Sequence, residues 1–173
     1  TFVAAAAINK SLKSFNIDTT IKWPNDIYLD NKKVCGILTE LNCELSSVNY
    51  VVLGIGLNVN TTLEDYPSDI QTVATSLKIH CGQNISRQLL LASILNNFED
   101  LYEKYKNNDI TEALSICRNY SNVIGKEIYL INKNSHEKVL AKNINDDGSL
   151  LVIDADNKER TIYSGEISVR PVH

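Results

Sequence analysis

The chain has 173 residues, of which 43% are hydrophobic and 22% are charged, and its formal net charge is −4 at pH 7. These values are typical of a folded globular protein and exclude disordered and fibrous classes. No apolar run approaches the ~20 residues that cross a membrane, and the acidic balance argues against nucleic-acid binding as the main role. The length predicts one medium domain, or one domain with a small appendage.

The cysteines and the first residues of the chain indicate the cellular location and the extent of the protein. Four cysteines lie far apart, at positions 35, 43, 81 and 117. This spacing fits neither a disulfide framework nor a zinc site, so we expect reduced thiols, a cytoplasmic location and no bound metal. The sequence opens at Thr1 and runs directly into an apolar helix-forming stretch. We therefore expect the chain to be part of a longer protein.

Up to Tyr120 the sequence predicts a mixture of helices and strands. Hydrophobic periodicity predicts helices over 2–14, 86–105 and 109–120 and strands over 19–23, 27–29, 34–41 and 49–57. Asp30-Asn31-Lys32 is typical of a tight hairpin turn, and Ser86 is the expected N-cap of the long helix. The apolar stripe expected on that helix consists of Leu89, Leu90, Ile94, Leu95, Phe98, Leu101 and Tyr105.

After Tyr120 the hydrophobic period changes to that of short strands. Five short strands are predicted over about 50 residues, and four of them cover 128–131, 138–144, 150–153 and 159–163. Asp146-Asp147-Gly148 and Asp156-Asn157 are the expected turns between them. Closely spaced short strands of this kind predict a small β-barrel. The predicted fold class is α+β, with one domain over 1–120 and a barrel domain over 121–173.

The pentapeptide from Lys22 to Asp26 is the first stretch that indicates chemistry. Pro24 fixes its own φ and holds Trp23 extended, so the chain turns sharply at the end of a strand. Such a turn presents Asn25 and Asp26 to a ligand. The alternative is an ordinary β-turn in which Trp23 only fills the core.

Two further stretches add cationic and glycine-rich features. Lys33 leads into an apolar strand and can meet an anion, although the residue taken alone favours a solvated charge within Asn31-Lys32-Lys33. Gly36 within that strand permits close approach of a ligand or of another backbone, or else marks a bulge. Gly54-Ile55-Gly56-Leu57-Asn58 can present backbone N–H groups to an anion or a flat ring, yet it matches neither a Walker nor a Rossmann motif. A structural bulge is the alternative for this stretch.

Taken together, these stretches resemble the central signature of biotin–protein ligases. The resemblance extends to the helix pair and to the final Gly165–Arg170 segment. It implies a partial class II synthetase-like biotin/lipoate ligase fold followed by an SH3-like barrel. It also implies that biotin and ATP form biotinyl-5′-AMP and that biotin then passes to a lysine of a biotin carboxyl carrier domain. Mg²⁺ is expected with ATP, and no tightly bound cofactor is expected.

The resemblance also implies roles for individual residues. Lys33 matches the lysine at the biotin carboxyl and α-phosphate, Lys22 a second active-site lysine, and Asp26 an active-site acid. The matched substrate- and nucleotide-binding positions are Asn25, Gly36, Leu38, Gly54, Leu57, Asn58, Glu166 and Arg170. Of these, the two asparagines belong to the nucleotide side, the glycines and leucines line the biotin or adenylate, and the last two act across the domain interface.

One departure from the family pattern concerns the upstream sequence. The Gly-Arg-Gly-Arg-rich loop and the residues that hold the biotin ring are absent, so we expect this stretch of chain alone to be inactive. A lipoate-type acyl ligase and a non-enzymatic protein-interaction module are the alternatives. A weak or ligand-promoted homodimer through strand 49–57 is expected, and no DNA or membrane contact is expected from this part.

Overall fold

The structure, a computed structural model, describes residues 1–44, 47–131, 136–163 and 168–171, with side chains described except at 47 and 168–171. The helices are α1 (Phe2–Ser14), α2 (Leu77–Cys81), α3 (Arg87–Lys106) and α4 (Thr111–Asn119). The strands are β1 (Thr20–Lys22), β2 (Asp26–Leu29), β3 (Lys32–Glu44), β4 (Ser47–Leu57), β5 (Glu127–Ile131), β6 (His136–Ile144), β7 (Leu150–Ile153), β8 (Glu159–Ile162) and β9 (Ser168–Pro171). Among the described residues, no helix is long and apolar enough to span a membrane.

The first four strands form an antiparallel sheet in the order β1-β2-β3-β4, which leaves β4 at an edge within the described part of the chain. Asp30 and Asn31 both have positive φ, at 50° and 61°, which confirms the predicted hairpin turn. Strands β3 and β4 are longer than predicted. Both faces of their outer halves are exposed, so the sequence there lacks the alternation of apolar and polar residues that predicts a strand. Pairing between the two strands nevertheless continues to Glu44 and Ser47.

Helix α1 forms the centre of the core of this unit. Its alanines at positions 4–7 are buried, and their small side chains let α3 and α4 pack closely against it. The polar residues that α1 buries are satisfied. Asn9 Nδ2 donates to the carbonyl oxygen of Thr19 at 3.0 Å, and Ser11 Oγ accepts from Asn97 Nδ2 at 2.9 Å. Burial on α1 is therefore combined with hydrogen bonds to two neighbouring segments.

Helix α3 confirms the predicted cap but corrects the predicted stripe. Ser86 Oγ accepts from the backbone N–H of Leu89, as an N-cap should. The buried positions are Leu90, Ile94 and Leu101. Leu89, Leu95 and Tyr105, assigned to the same stripe, are 65%, 56% and 50% exposed. The apolar positions span more of the helix circumference than the narrow seam that packs on α1.

Helix α2 was not predicted, because five residues are too few to show a period. Its first turn is capped by Ser76, whose Oγ accepts from Ile79 N at 3.1 Å and donates to the carbonyl oxygen of Thr61 at 2.6 Å. The helix ends at Gly82 in the left-handed region. Backbone bonds just before this helix hold the connection to β3: Lys33 N donates to Val73 O at 2.9 Å, and Thr75 N donates to Lys33 O at 3.0 Å.

Strands β5 to β9 form a second antiparallel sheet in the order β8-β7-β6-β5-β9, here called the C-terminal sheet. Its strands and its turns at Gly148 (φ 82°) and Asn157 (φ 60°) confirm the prediction, and the α+β fold class is confirmed with them. The segment before β5 bonds directly to β1, since Ile21 N donates to Tyr120 O at 2.7 Å. The division at residues 120 and 121 stays a prediction.

Substitution of two adjacent leucines on α3 tests the corrected packing. Leu90→Ala should lower the free energy of unfolding by about 2–5 kcal/mol, because Leu90 is 1% exposed and its loss leaves a cavity. Leu89→Ala should change it by no more than about 0.5 kcal/mol, since the side chain is mostly solvated. Urea unfolding followed by circular dichroism measures both. Equal losses in the two variants would contradict this packing.

Candidate functional site

The turn between β1 and β2 is anchored at both ends of its Lys22–Asp26 sequence. Trp23 is 1% exposed, and the Trp23–Pro24 peptide bond is cis. Asn25 is fixed on β3 by two bonds: its carbonyl oxygen accepts from Ile37 N, and its Nδ2 donates to Ile37 O, both at 2.9 Å. The turn is therefore held on the sheet rather than exposed as a loose loop.

Asp26 lies between two lysines. Its Oδ1 is 2.6 Å from Lys33 Nζ and its Oδ2 is 3.9 Å from Lys22 Nζ. Lys22 is also 3.5 Å from the hydroxyl of Tyr28. The side chains of Lys22 and Asp26 are 13% and 14% exposed, whereas that of Lys33 is 44% exposed. The structure thus brings together the three residues predicted for catalysis, with the Lys33 ammonium on the open side.

Gly36 makes the path of Lys33 possible. It lies opposite Asp26 in the β2–β3 ladder. A Cβ placed on Gly36 would lie 3.1 Å from both Cε and Nζ of Lys33. The lysine stem therefore crosses over this glycine to reach Asp26. The group closest to Gly36 is therefore a side chain of the same protein, which the sequence did not indicate, and the irregularity of this ladder lies between Ile27 and Tyr28. Close approach of a ligand at Gly36 stays a prediction.

Three glycines give β3 and β4 a flat patch. Gly36 pairs with Gly56, and Leu38 pairs with Gly54, so these four residues share one face of the ladder. At Gly54 and Gly56 a Cβ would meet nothing closer than 3.8 Å, and neither has a positive φ. Neither the backbone conformation nor the packing of this chain requires glycine there. The bare backbone instead leaves room for a flat group.

An open cleft of about 510 Å³ lies over this glycine patch. Its lining residues are Asn25, Lys33, Gly36, Ile37, Leu38, Gly54, Ile55 and Gly56. Five of these were predicted from the sequence. Leu38 and Ile55 expose apolar surface beside the patch, and Lys33 supplies a positive charge at one side. The cleft suits a ligand with a flat, largely apolar body and an anionic end.

Asn58 and Leu57 are not among the residues that line this cleft. Asn58 Nδ2 donates to Thr75 O at 3.1 Å, and its backbone N–H donates to Val34 O at 2.9 Å. These bonds tie the segment before α2 to β3. Leu57 pairs with Cys35 and packs partly against the core. Their expected contact with nucleotide or adenylate stays a prediction.

Two predicted site residues, Glu166 and Arg170, lie near the end of the chain. Glu166 lies outside the described residues. The backbone of Arg170 pairs with Tyr129 in the C-terminal sheet, and its side chain is not described. A different contact links that sheet to the site: Trp23 Nε1 donates to Gly148 O at 2.9 Å. The sequence carries no signal for this pair, because the two residues are far apart in the chain.

Cys35 is the nearest thiol to the cluster of charges. Burial raises the pKa of Cys35 to about 12, and the nearby Lys33 ammonium only partly opposes this effect. The group therefore stays a neutral thiol at physiological pH and is a poor nucleophile. Across the described residues, no group of three or more His, Cys, Asp or Glu side chains is arranged to hold a metal ion.

A second hollow, of about 550 Å³, lies between α1 and α4. The cations in it are already paired. Lys10 Nζ lies 3.2 Å from Glu112 Oε1, and Lys13 bonds the hydroxyl of Tyr120. Glu112 offsets the charge of Lys10, and the Tyr120 hydroxyl engages the Lys13 ammonium, so this hollow offers less to an anionic ligand than the cleft at Lys33 does.

Comparison with protein families gives two matches along the chain. Residues 2–58 match the biotin/lipoate A/B protein ligase family, and residues 123–170 match the biotin protein ligase C terminal domain. The first match contains α1, the Lys22–Asp26 turn, Lys33 and the glycine patch. The second contains the C-terminal sheet.

Similar proteins carry related names. The bifunctional ligase/repressor BirA of Bacillus subtilis is 35% identical over 98% of this chain and 52% of its own length. The biotin–[acetyl-CoA-carboxylase] ligase of Mycobacterium tuberculosis is 27% identical over 87% of this chain and 53% of its own length. The chain spans about half the length of the curated relatives that it matches.

Among solved structures, the biotin protein ligase of Aquifex aeolicus in its apo form superposes with a TM-score of 0.86 at 27% identity, over 99% of this chain and 74% of that one. The same enzyme in complex with biotin and ATP gives a TM-score of 0.86 at 26% identity, over 99% and 70% of the two chains. With both family matches and this likeness in hand, the chain belongs to the biotin protein ligase family.

Proposed function

We propose that the protein activates biotin with ATP to form biotinyl-5′-AMP and transfers the biotin to a lysine of a biotin carboxyl carrier domain. The observation that carries the proposal is the position of Lys33, which Asp26 holds beside the glycine patch, where the backbone of β3 and β4 is bare of side chains. Biotin has a compact ring system with a carboxylate at the end of its tail, and this combination fits the cleft. The complex of the Aquifex aeolicus ligase with biotin and ATP supports the same assignment.

The first step brings two anions together. A carboxylate oxygen of biotin attacks the α-phosphorus of ATP, and the bond to the β-phosphate breaks as pyrophosphate leaves with the electron pair. Lys33 is proposed to offset the charge that builds up between carboxylate and phosphate. Asp26 is proposed to hold the Lys33 ammonium in place, with Lys22 on the other oxygen of the same carboxylate, since a preformed orientation avoids reorganisation during the reaction.

The second step uses the mixed anhydride made in the first. The uncharged amine of the acceptor lysine attacks the acyl carbon, the bond from that carbon to the phosphate oxygen breaks, and AMP leaves. The amine proton is lost to solvent. An open cleft suits this step, because a protein side chain must reach the acyl carbon from outside.

Mg²⁺ is proposed to arrive with ATP. The carboxylate beside the cleft, that of Asp26, is already engaged by Lys33, so the phosphates and water would supply most of the ligands to the ion.

The free cysteines support a cytoplasmic location. A homodimer is also proposed, through the exposed edge strand β4.

A lipoate-type acyl ligase is the alternative within the same family. The amino-terminal match covers both biotin and lipoate ligases. Biotin is favoured because residues 123–170 match the C-terminal domain of biotin protein ligases specifically. A non-enzymatic interaction module would bind neither biotin nor nucleotide, so calorimetry with biotinyl-5′-AMP and with the lipoyl analogue separates all three.

Replacement of Lys33 tests the proposed charge stabilisation. In the longest expressible form of the protein, Lys33→Ala should slow biotin-dependent pyrophosphate release by about 10²–10³-fold, because it removes a charge used where charge develops. Lys33→Gln should show a similar loss if charge rather than length matters. Lys32→Ala is the matched control, since Lys32 Nζ donates to Gln71 O at 2.9 Å outside the cleft. A normal rate in Lys33→Ala would refute the role.

Thiol labelling tests whether Cys35 takes part. With iodoacetamide at pH 8, the exposed Cys43 should react first and Cys35 should stay unlabelled, because burial raises its pKa to about 12. The same upward shift means that folding stability is retained below the ordinary thiol pKa and declines as pH rises from there toward 12. Peptide mass spectrometry locates the label. Rapid labelling of Cys35 in the folded protein would contradict its description as a buried, neutral thiol.

A further inference from the structure

We propose that Trp23 is a positioning residue through which the C-terminal sheet holds the Lys22–Asp26 turn in its binding geometry. The idea rests on the proposed function for its ligand, but its structural part stands separately. Trp23 is the sole tryptophan of the chain, and its indole N–H bonds the carbonyl of Gly148 at 2.9 Å. Apolar burial alone would not require this donor, since a phenyl ring could fill a core position.

The turn that receives Trp23 is rigid in its own right. Asn145 and Ser149 close it by a backbone bond of 2.8 Å, and the Asn145 side chain donates to Ser149 Oγ at 2.9 Å. Asp147 Oδ1 accepts from both the backbone and the hydroxyl of Ser149. The carbonyl of Gly148 is thus presented to Trp23 from a turn braced by its own hydrogen bonds.

Elements outside the C-terminal sheet also fix this turn. Arg118 of α4 donates to Ile144 O at 2.7 Å and pairs with Asp146 at 2.6 Å. The Phe2 ring of α1 lies against Gly148, so that a Cβ there would be 2.4 Å from Cε2. The turn over 145–149 is therefore contacted by α1, α4 and Trp23 together. None of these contacts involves the cleft directly.

The contacts of Trp23 with the turn over 145–149 are linked to the cleft by the three residues that follow Trp23 in the chain. Pro24 has a restricted φ and joins Trp23 to Asn25, whose side chain and carbonyl bond Ile37. The next residue, Asp26, orients Lys33 at 2.6 Å. Displacement of Trp23 would therefore shift both the cleft wall at Asn25 and the carboxylate that orients the lysine. The C-terminal sheet then acts on the ligand site without touching the ligand.

The test uses the 173-residue chain and a pair of glycine variants. Gly148→Ala places a methyl group against Phe2 at a position with φ +82°, which should push the turn away from Trp23. Gly125→Ala is the matched control, because its φ is +77° and nothing lies within 4 Å of the new Cβ. Both variants carry the backbone strain, and the first adds the clash. Phe2→Leu in the Gly148→Ala background should relieve that clash.

Three measurements compare the two glycine variants: tryptophan fluorescence, amide hydrogen exchange and ligand affinity. The fluorescence of Trp23, the sole tryptophan, should change in Gly148→Ala and not in Gly125→Ala. Hydrogen exchange of the Ile37 amide, which donates to Asn25, should become faster in the first variant only. Affinity for biotinyl-5′-AMP should fall at least about tenfold in the first variant and recover in the Phe2→Leu double variant. Circular dichroism establishes that each variant is folded under these conditions.

The outcomes separate the two levels of the proposal. Unchanged Ile37 exchange and equal affinities in the two glycine variants would reduce Trp23 to core filling and overturn the inference. If the 173-residue chain binds no biotinyl-5′-AMP, the affinity is measured in the longest expressible form of the protein, where a failure to bind would refute the proposed function. In either case Ile37 exchange decides the positioning role. If Gly148→Ala does not fold, Trp23→Phe removes the N–H donor more gently, and the same exchange and affinity measurements apply.

Discussion

The ion pair between Asp26 and Lys33 is the interaction on which the arrangement of the cleft depends. Lys22 and Lys33 would repel each other if they faced one pocket alone, and the carboxylate between them removes that cost. Asp26 is mostly buried, so it needs these cations as much as they need it. A cation that is already oriented can meet a carboxylate or a phosphate with little loss of side-chain freedom, while its exposed side remains available.

The rest of the site is arranged to keep that pair accessible. Bare backbone at Gly54 and Gly56 lets a ligand approach the sheet closely, and Gly36 lets the lysine stem cross the strand. The hydrogen bonds of Asn25 and Asn58 lie at the borders and fix the surrounding segments. The chemistry of the cleft is thus concentrated in a few groups, and most neighbouring polar groups serve to position them.

Local patterns in the sequence predict most of the elements but not the contacts between them. Helical periodicity and turn residues such as Asp30-Asn31 are local signals, and both gave correct elements. Helix α2 is too short to show a period, and the outer half of β3 is extended by pairing rather than by alternation. The bond from Trp23 to Gly148 depends on how two sheets pack, which no local pattern records. Resemblance supplied the grouping of the site residues, and five of them line one cleft.

The neighbouring lysines of β3 show why strand register decides what a residue can do. Composition alone gives Lys32 and Lys33 the same chemistry, yet Lys32 reaches Gln71 while Lys33 reaches Asp26. Successive side chains of a strand point to opposite faces, so the register separates the two. The ladder is irregular between Ile27 and Tyr28, which brings Tyr28 opposite Lys33 while Asp26 stays opposite Gly36. A shift of one residue would turn Lys33 away from the carboxylate and leave the glycine patch without its cation.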